Sequence, residues 1–126
     1  MIGSIVVNGM GNNPLYEKSY AFALQIVALY KELMLKEKEY TLSKQLLRSG
    51  TSIGANVSEA NGAISKADFS SKISVAYKES LETKYWLNLL KDSSYIATNK
   101  ADKLILDADE LSRIMFSILK TTRIDK

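Results

Sequence analysis

The segment QLLRSGTSIGANVSEA, Gln45 to Ala60, decides the architecture, because it keeps an apolar helical stripe while carrying residues that ordinarily weaken a helix. Leu42, Leu46, Ser49, Ile53, Asn56, Ala60 and Ile64 recur at three- and four-residue steps, which places them on one side of a helix of 3.6 residues per turn. Gly50, Thr51, Ser52, Gly54, Asn56, Val57 and Ser58 each cost roughly 0.5–1 kcal/mol relative to alanine in a helix. Such a helix persists only where tertiary packing offsets that cost. Gly50 and Gly54, four apart, let another backbone approach closely. Their surroundings are too polar for this spacing to mean association within lipid.

On the N-terminal side, Pro14 suits the first position of a helix with Asn13 as its N-cap, since proline's missing N–H has no partner to lose there. Leu15, Ser19, Phe22, Ile26, Leu29 and Leu33 form the stripe of this first helix, expected over 14–38, and the charged run Lys36 to Glu39 marks its solvated end. Thr41 or Ser43 is expected to cap the second helix, over about 42–62. Ser65 and Asp68 resemble a capping box and open a third helix, whose face of Phe69, Ile73, Ala76, Ser80, Leu87 and Ser94 persists to about Tyr95. Thr98 or Asn99 caps a fourth, to about 122, with the stripe Ala101, Leu104, Ala108, Leu111, Met115, Ile118 and Thr122. Short links between long amphipathic helices favour antiparallel neighbours. The expected fold is therefore all-α, an up-down-up-down antiparallel four-helix bundle over 14–122, with a mobile or extended segment 1–13 and a C-terminal tail 123–126.

The composition excludes several kinds of chemistry. A chain of 126 residues is one domain's length, and it has neither cysteine nor histidine. That removes disulfides, thiolate nucleophiles, imidazole bases and the commonest transition-metal ligands. No nucleophile, base or phosphate-loop motif is present, so no enzymatic activity and no cofactor is expected. Missing cysteines suit a reducing cytoplasm. The start, MIGSIVVNGMGNN, lacks a signal peptide's basic leader and apolar core, and no run of 18 apolar residues exists to span a bilayer. The expected location is cytoplasmic, with no membrane association.

Seventeen basic and fourteen acidic residues leave a net charge of +3 that is spread thinly. Lys66, Lys72, Lys78 and Lys84 fall six apart and so point to three sides of one helix, which argues against a single phosphate-tracking stripe. The densest basic group is Arg113, Lys120, Arg123 and Lys126, the expected nucleic-acid contacts if there are any.

Two further features concern surfaces. The third helix is apolar on more than one side, with Val75, Trp86 and Leu89 on one and Tyr77, Leu81 and Tyr85 on another; the first adds Tyr16, Tyr20, Ala23, Val27 and Met34 beside its main stripe. Soluble monomers avoid apolar patches of that size, so a homo-oligomer is expected. Beside the core stripe of the second helix, Gln45, Arg48, Ser52, Asn56 and Glu59 form a polar seam, answered on the third helix by Glu79 and Glu82. Arginine's planar fork suits a carboxylate, so Arg48 is expected to pair with Glu79 or Glu82 and hold helix register. A metal site is disfavoured, because di-iron bundles need histidine and these carboxylates are too few for magnesium.

The run Gln45, Arg48, Ser49, Ser52, Ile53, Asn56, Val57, Glu59, Ala60, followed by Ala76, Glu79, Ser80, Glu82, Tyr85 and Leu87, resembles the proteins encoded in intervening sequences of bacterial 23S rRNA genes. The resemblance extends from Leu15 to about Leu119. It implies a four-helix bundle that assembles into a homopentameric ring. A relative of that family, the accessory variability determinant of diversity-generating retroelements, is a basic pentameric barrel that binds nucleic acid and a reverse transcriptase. The resemblance thus implies RNA, DNA or a protein as partner. Many relatives carry Glu-Gly followed shortly by arginine where this chain reads Glu59, Ala60, Asn61, Gly62, with no arginine before Arg113, which weakens the case for a basic loop after the second helix.

Overall fold

In the computed structural model, residues 13–124 are described, with side chains through Thr122. Four helices pack in chain order: α1 Pro14–Lys36, α2 Leu42–Asn61, α3 Lys66–Asp92 and α4 Thr98–Ile124. Cross-pairs run in opposite sense between successive helices. Gly54 lies on Ser19 and Gly50 on Ile26; Ser49 bonds Thr83 while Glu59 reaches Lys72; Ser80 bonds Ser112 while Lys91 reaches Asp102. α4 returns beside α1 through Lys18–Glu110 and Lys100–Glu32. The result is an all-α four-helix bundle. Of the segment 1–13, expected to be mobile or extended, residues 1–12 lie outside the described residues, as does the end of the tail.

The buried set of α1 is Leu15, Ser19, Phe22, Ile26, Leu29 and Leu33, the expected stripe, and Asn13 caps the helix with its side chain accepting from the Tyr16 N–H at 3.1 Å. α2 departs from expectation. Its buried residues are Ser43, Leu46, Ser49, Gly50, Ile53, Val57 and Ala60. Asn56 is only half-buried and turns its amide to the Ser52 carbonyl at 2.9 Å, leaving Val57 to face the core. Ile64 follows the end of the helix and is 93% exposed. The cap of α2 is also not the expected hydroxyl. Thr41 makes no side-chain cap bond; instead the Glu39 carboxylate accepts from the N–H groups of Thr41, Leu42 and Ser43 at 3.1, 3.0 and 2.7 Å. A carboxylate there satisfies several donors at once and meets the positive end of the helix dipole.

Ser65 caps α3 as expected, but Asp68 accepts from the Ile64 N–H at 3.2 Å. α3 stops at Asp92, short of Tyr95, because Ser94 adopts a left-handed φ of 69° and the Tyr95 N–H turns back to the Leu90 carbonyl at 2.9 Å. Its core face holds Thr83 and Leu90 with Ile73, Ala76, Ser80 and Leu87, while Phe69 is half-buried and Ser94 exposed. In α4, Ser112 and Leu119 are buried, whereas Ile118 and Thr122 are half-buried, and the helix continues to Ile124.

The core is close-set because several of its members are small. A Cβ on Gly50 would stand 2.9 Å from Cγ1 and Cγ2 of Ile26, so α1 and α2 cross where no side chain fits. Buried hydroxyls are satisfied locally and across helices: Ser80 and Ser112 Oγ lie 2.7 Å apart, and Thr83 Oγ1 lies 3.0 Å from Ser49 Oγ and 2.7 Å from the Glu79 carbonyl.

Candidate functional site

The groups that the sequence singled out fall in three places. The first is the junction of α2 and α3. Arg48 projects from α2 between two α3 carboxylates, with Glu79 Oε1 3.5 Å from Nη1 and Glu82 in direct contact with Nη2. The Trp86 indole N–H donates to the same Glu82 oxygen at 3.0 Å, so the ring is anchored along this seam and meets Tyr85 edge-on at 5.0 Å between centroids. Further along, Glu59 pairs with Lys72 at 3.0 Å, and this hydrogen bond and charge raise the lysine above its ordinary pKa. Ser52 and Asn56 bond back to their own helix, at the carbonyls of Arg48 and Ser52. Gln45 is exposed and makes no side-chain hydrogen bond among the described residues.

The chemistry of this junction is that of a clamp. Arg48 is half-exposed, with a relative side-chain exposure of 50%, against 19% for Glu79 and 35% for Glu82. Two carboxylates share one guanidinium, and Glu79 Oε1 has no well-aligned hydrogen bond. Among the described residues no group of three or more carboxylates stands where it could hold a metal ion.

The second place is the outer surface. Val75, Leu81 and Tyr85 are exposed on α3 as the sequence led one to expect, but Trp86, Leu89 and Tyr77 are half-buried. Trp86 is drawn toward α2 by Glu82, and Tyr77 lies 5.9 Å from Phe116 of α4. On α1 the exposed large apolar residues are Tyr20, Leu24 and Leu35, whereas Tyr16, Ala23, Val27 and Met34 are half-buried. Leu24 and Leu35 stand opposite Phe22 and Ile26 on the helix, a face that helical spacing identifies but that the apolar residues flanking the core stripe do not point to.

The third is the basic surface. Arg113 is exposed and 3.4 Å from Asp109, and Lys120 is exposed without an ion pair among the described residues; the Arg123 side chain and Lys126 lie outside them. Asp109 also holds Lys84 at 3.0 Å, and that hydrogen bond, with the charges of Lys84 and Arg113, keeps its carboxyl below the ordinary range. A group that the sequence reading passed over lies around the α1–α2 turn, where Lys36, Lys38 and Lys44 are exposed and form no ion pair among the described residues. Its signal was the run Lys36 to Glu39, read only as a helix end.

Two open clefts accompany these surfaces. One of about 470 Å³ lies at the α3–α4 turn against α1, between Leu29, Glu32, Tyr95 and Lys100. A smaller one, about 190 Å³, lies between α1 and α4 beside Lys18, Gln25 and Glu110. No helix among the described residues is long and apolar enough to cross a membrane.

A solved structure similar to this one is that of a protein of unknown function from the S23 ribosomal protein family of Bacteroides thetaiotaomicron, at 47% sequence identity and a TM-score of 0.83, covering 84% of this chain and 98% of that one. No curated protein matches the chain. The profile of the 23S rRNA-intervening sequence protein family matches residues 12–117, which takes in α1, α2, α3 and most of α4 together with the Arg48 clamp. The chain belongs to the 23S rRNA-intervening sequence protein family.

Proposed function

We propose that this protein is a non-enzymatic cytoplasmic subunit that self-assembles into a homo-oligomeric ring, pentameric as the resemblance implies, and that the ring offers its exposed basic side chains to RNA or DNA. The observation that carries assembly is the apolar surface left on both α1 and α3, where Tyr20, Leu24, Leu81 and Tyr85 are each more than two fifths exposed. Repetition supplies the electrostatics. Five copies of a +3 chain carry about +15, so the exposed lysines Lys36, Lys38, Lys44 and Lys120 act together on a polyanion through multivalency and counterion release. Light scattering at micromolar concentration is expected to give a mass several times that of one chain, and a monomer refutes the assembly. Filter binding to RNA and to DNA across a salt series is expected to weaken steeply with salt.

A second reading has its own support. Eight basic side chains, Lys18, Arg48, Lys72, Lys84, Lys91, Lys100, Lys103 and Arg113, are already held in ion pairs. That pairing favours a protein–protein adaptor in which exposed aromatic side chains make the contacts. An absence of salt-dependent binding in the filter assay selects this reading over the first.

A further inference from the structure

α1 and α3 occupy opposite corners of the bundle, each packed between α2 and α4, so their outer faces point to opposite sides of the subunit. Among the exposed residues of each helix is a line on its outer face, with the same spacing on both. On α1 the line is Glu17, Tyr20, Leu24, Lys31; on α3 it is Lys78, Leu81, Tyr85, Asp92. None of the four charged members forms an ion pair among the described residues. Asp92 is placed poorly for its own chain, because a carboxylate in the last turn of a helix faces the negative end of the dipole.

The two lines match at a constant separation of 61 positions, as between Glu17 and Lys78. Laid side by side in parallel, Glu17 meets Lys78, Tyr20 meets Leu81, Leu24 meets Tyr85 and Lys31 meets Asp92. Opposite charges then close both ends of an apolar centre, with the spacing of a heptad seam. Laid antiparallel, Glu17 meets Asp92 and Lys31 meets Lys78, which repel.

The height of the helices within one subunit agrees with this register. Through α2, Ile26 is level with Thr83, since Gly50 touches Ile26 and the adjacent Ser49 bonds Thr83. Through α4, Lys18 is level with Lys84, since Lys18 reaches Glu110 and the adjacent Asp109 holds Lys84. The two routes give separations of 57 and 66, so 61 lies between them, four residues from one and five from the other. Rotation about an axis parallel to the bundle, with no shift along it, therefore brings the matched residues together.

We propose that the α1 face of one copy binds the α3 face of the next, head to tail and in parallel, with Glu17, Tyr20, Leu24 and Lys31 on Lys78, Leu81, Tyr85 and Asp92. This rests on the self-assembly reading above and specifies its contact. One heterologous contact of this kind covers both apolar faces of every subunit, and it closes into a ring where the rotation permits. Pairing like with like, α1 on α1 and α3 on α3, needs two different self-complementary contacts to cover the same two faces.

Complementation tests the contact. Leu24→Asp damages the α1 face and Tyr85→Asp the α3 face, both at exposed sites, so circular dichroism should report an intact helical fold. Each variant alone is expected to be monomeric by light scattering, and an equimolar mixture is expected to form a dimer, because one intact face of each kind remains. Either variant running alone as a dimer, or a mixture that stays monomeric, overturns the contact. Charge exchange is the second measurement: Glu17→Lys is expected to weaken assembly roughly tenfold per contact, and adding Lys78→Glu to restore it. Absence of that rescue counts equally against it. A wild-type chain that is itself monomeric refutes the assembly reading instead, whereas a wild-type oligomer unaffected by either aspartate refutes only these faces.

Discussion

Replacing Gly50 by alanine places a methyl group 2.9 Å from both Cγ1 and Cγ2 of Ile26 and 3.3 Å from its Cβ. Ile26 has no exposure, so it has no free space into which to turn. Overpacking of this kind costs about 1–3 kcal/mol, while alanine in a helix interior returns about 1 kcal/mol relative to glycine. Two contacts below 3.0 Å on an enclosed side chain put the cost in the upper part of that range, about 2–3 kcal/mol, so the net expectation is a loss of roughly 1–2 kcal/mol, which for a chain of this length lowers the melting temperature by roughly 4–8 °C. Gly54 is the internal control, because its added Cβ would meet the Ser19 carbonyl and hydroxyl oxygens at 3.4 Å, an ordinary contact. There the helix-propensity gain dominates, and Gly54→Ala is expected to be neutral or stabilising by about 0.5 kcal/mol. Urea unfolding at one fixed protomer concentration reads both values, with a constant slope showing that the unfolded state is unchanged. A double-mutant cycle then tests the cause: Ile26→Ala alone opens a cavity, but in the Gly50→Ala background the new methyl partly fills it, giving a restoring coupling of about 1 kcal/mol. Gly50→Ala as stable as the wild type, or a cycle with no coupling, refutes the close α1–α2 crossing.

Arg48→Ala is expected to cost about 1–2 kcal/mol in the same assay, less than a fully buried pair would, because Arg48 is half-exposed while Glu79 is left with a buried oxygen; Arg48→Lys should recover only part of this, since an ammonium cannot reach both carboxylates. For Glu39, burial pushes the carboxyl up, but the N–H groups of Leu42, Ser43 and Thr41 together outweigh it and hold the pKa below the ordinary value. The stabilisation is therefore complete above the ordinary carboxylate pKa and is lost as pH falls through the lower folded-state value. Glu39→Gln should cost about 1 kcal/mol at neutral pH and flatten this acid limb in a pH series of urea midpoints. Val57→Ala is expected to cost about 1–3 kcal/mol and Ile64→Ser less than about 0.5 kcal/mol, reversing the importance that the helical spacing of Ile64 suggests.

The residues themselves determined most of the fold. Six apolar or small positions on α1 recur at helical steps after a proline with an asparagine before it, and short-range geometry alone settles what such a pattern forms. The pairing of Arg48 with α3 carboxylates was legible for the same reason: a guanidinium beside an apolar stripe has few partners that suit its fork. The helix ends were less legible. Glu39 caps α2 from three residues before the helix, and Ser94 stops α3 with a left-handed backbone, choices made by the path of the turn and not by propensity.

Only the tertiary structure decided which side of each helix is left uncovered. Asn56 and Val57 are both compatible with a buried stripe in the sequence, and the rotation of α2 about its axis, set where Gly50 lets Ile26 in, turns Val57 inward. The same holds for Leu24 and Tyr20, whose exposure follows from the neighbours that α1 has on its two flanks. Helical periodicity depends on one chain's local geometry, whereas burial depends on what approaches from elsewhere, so the spacing of residues determined the bundle and the packing determined its surface.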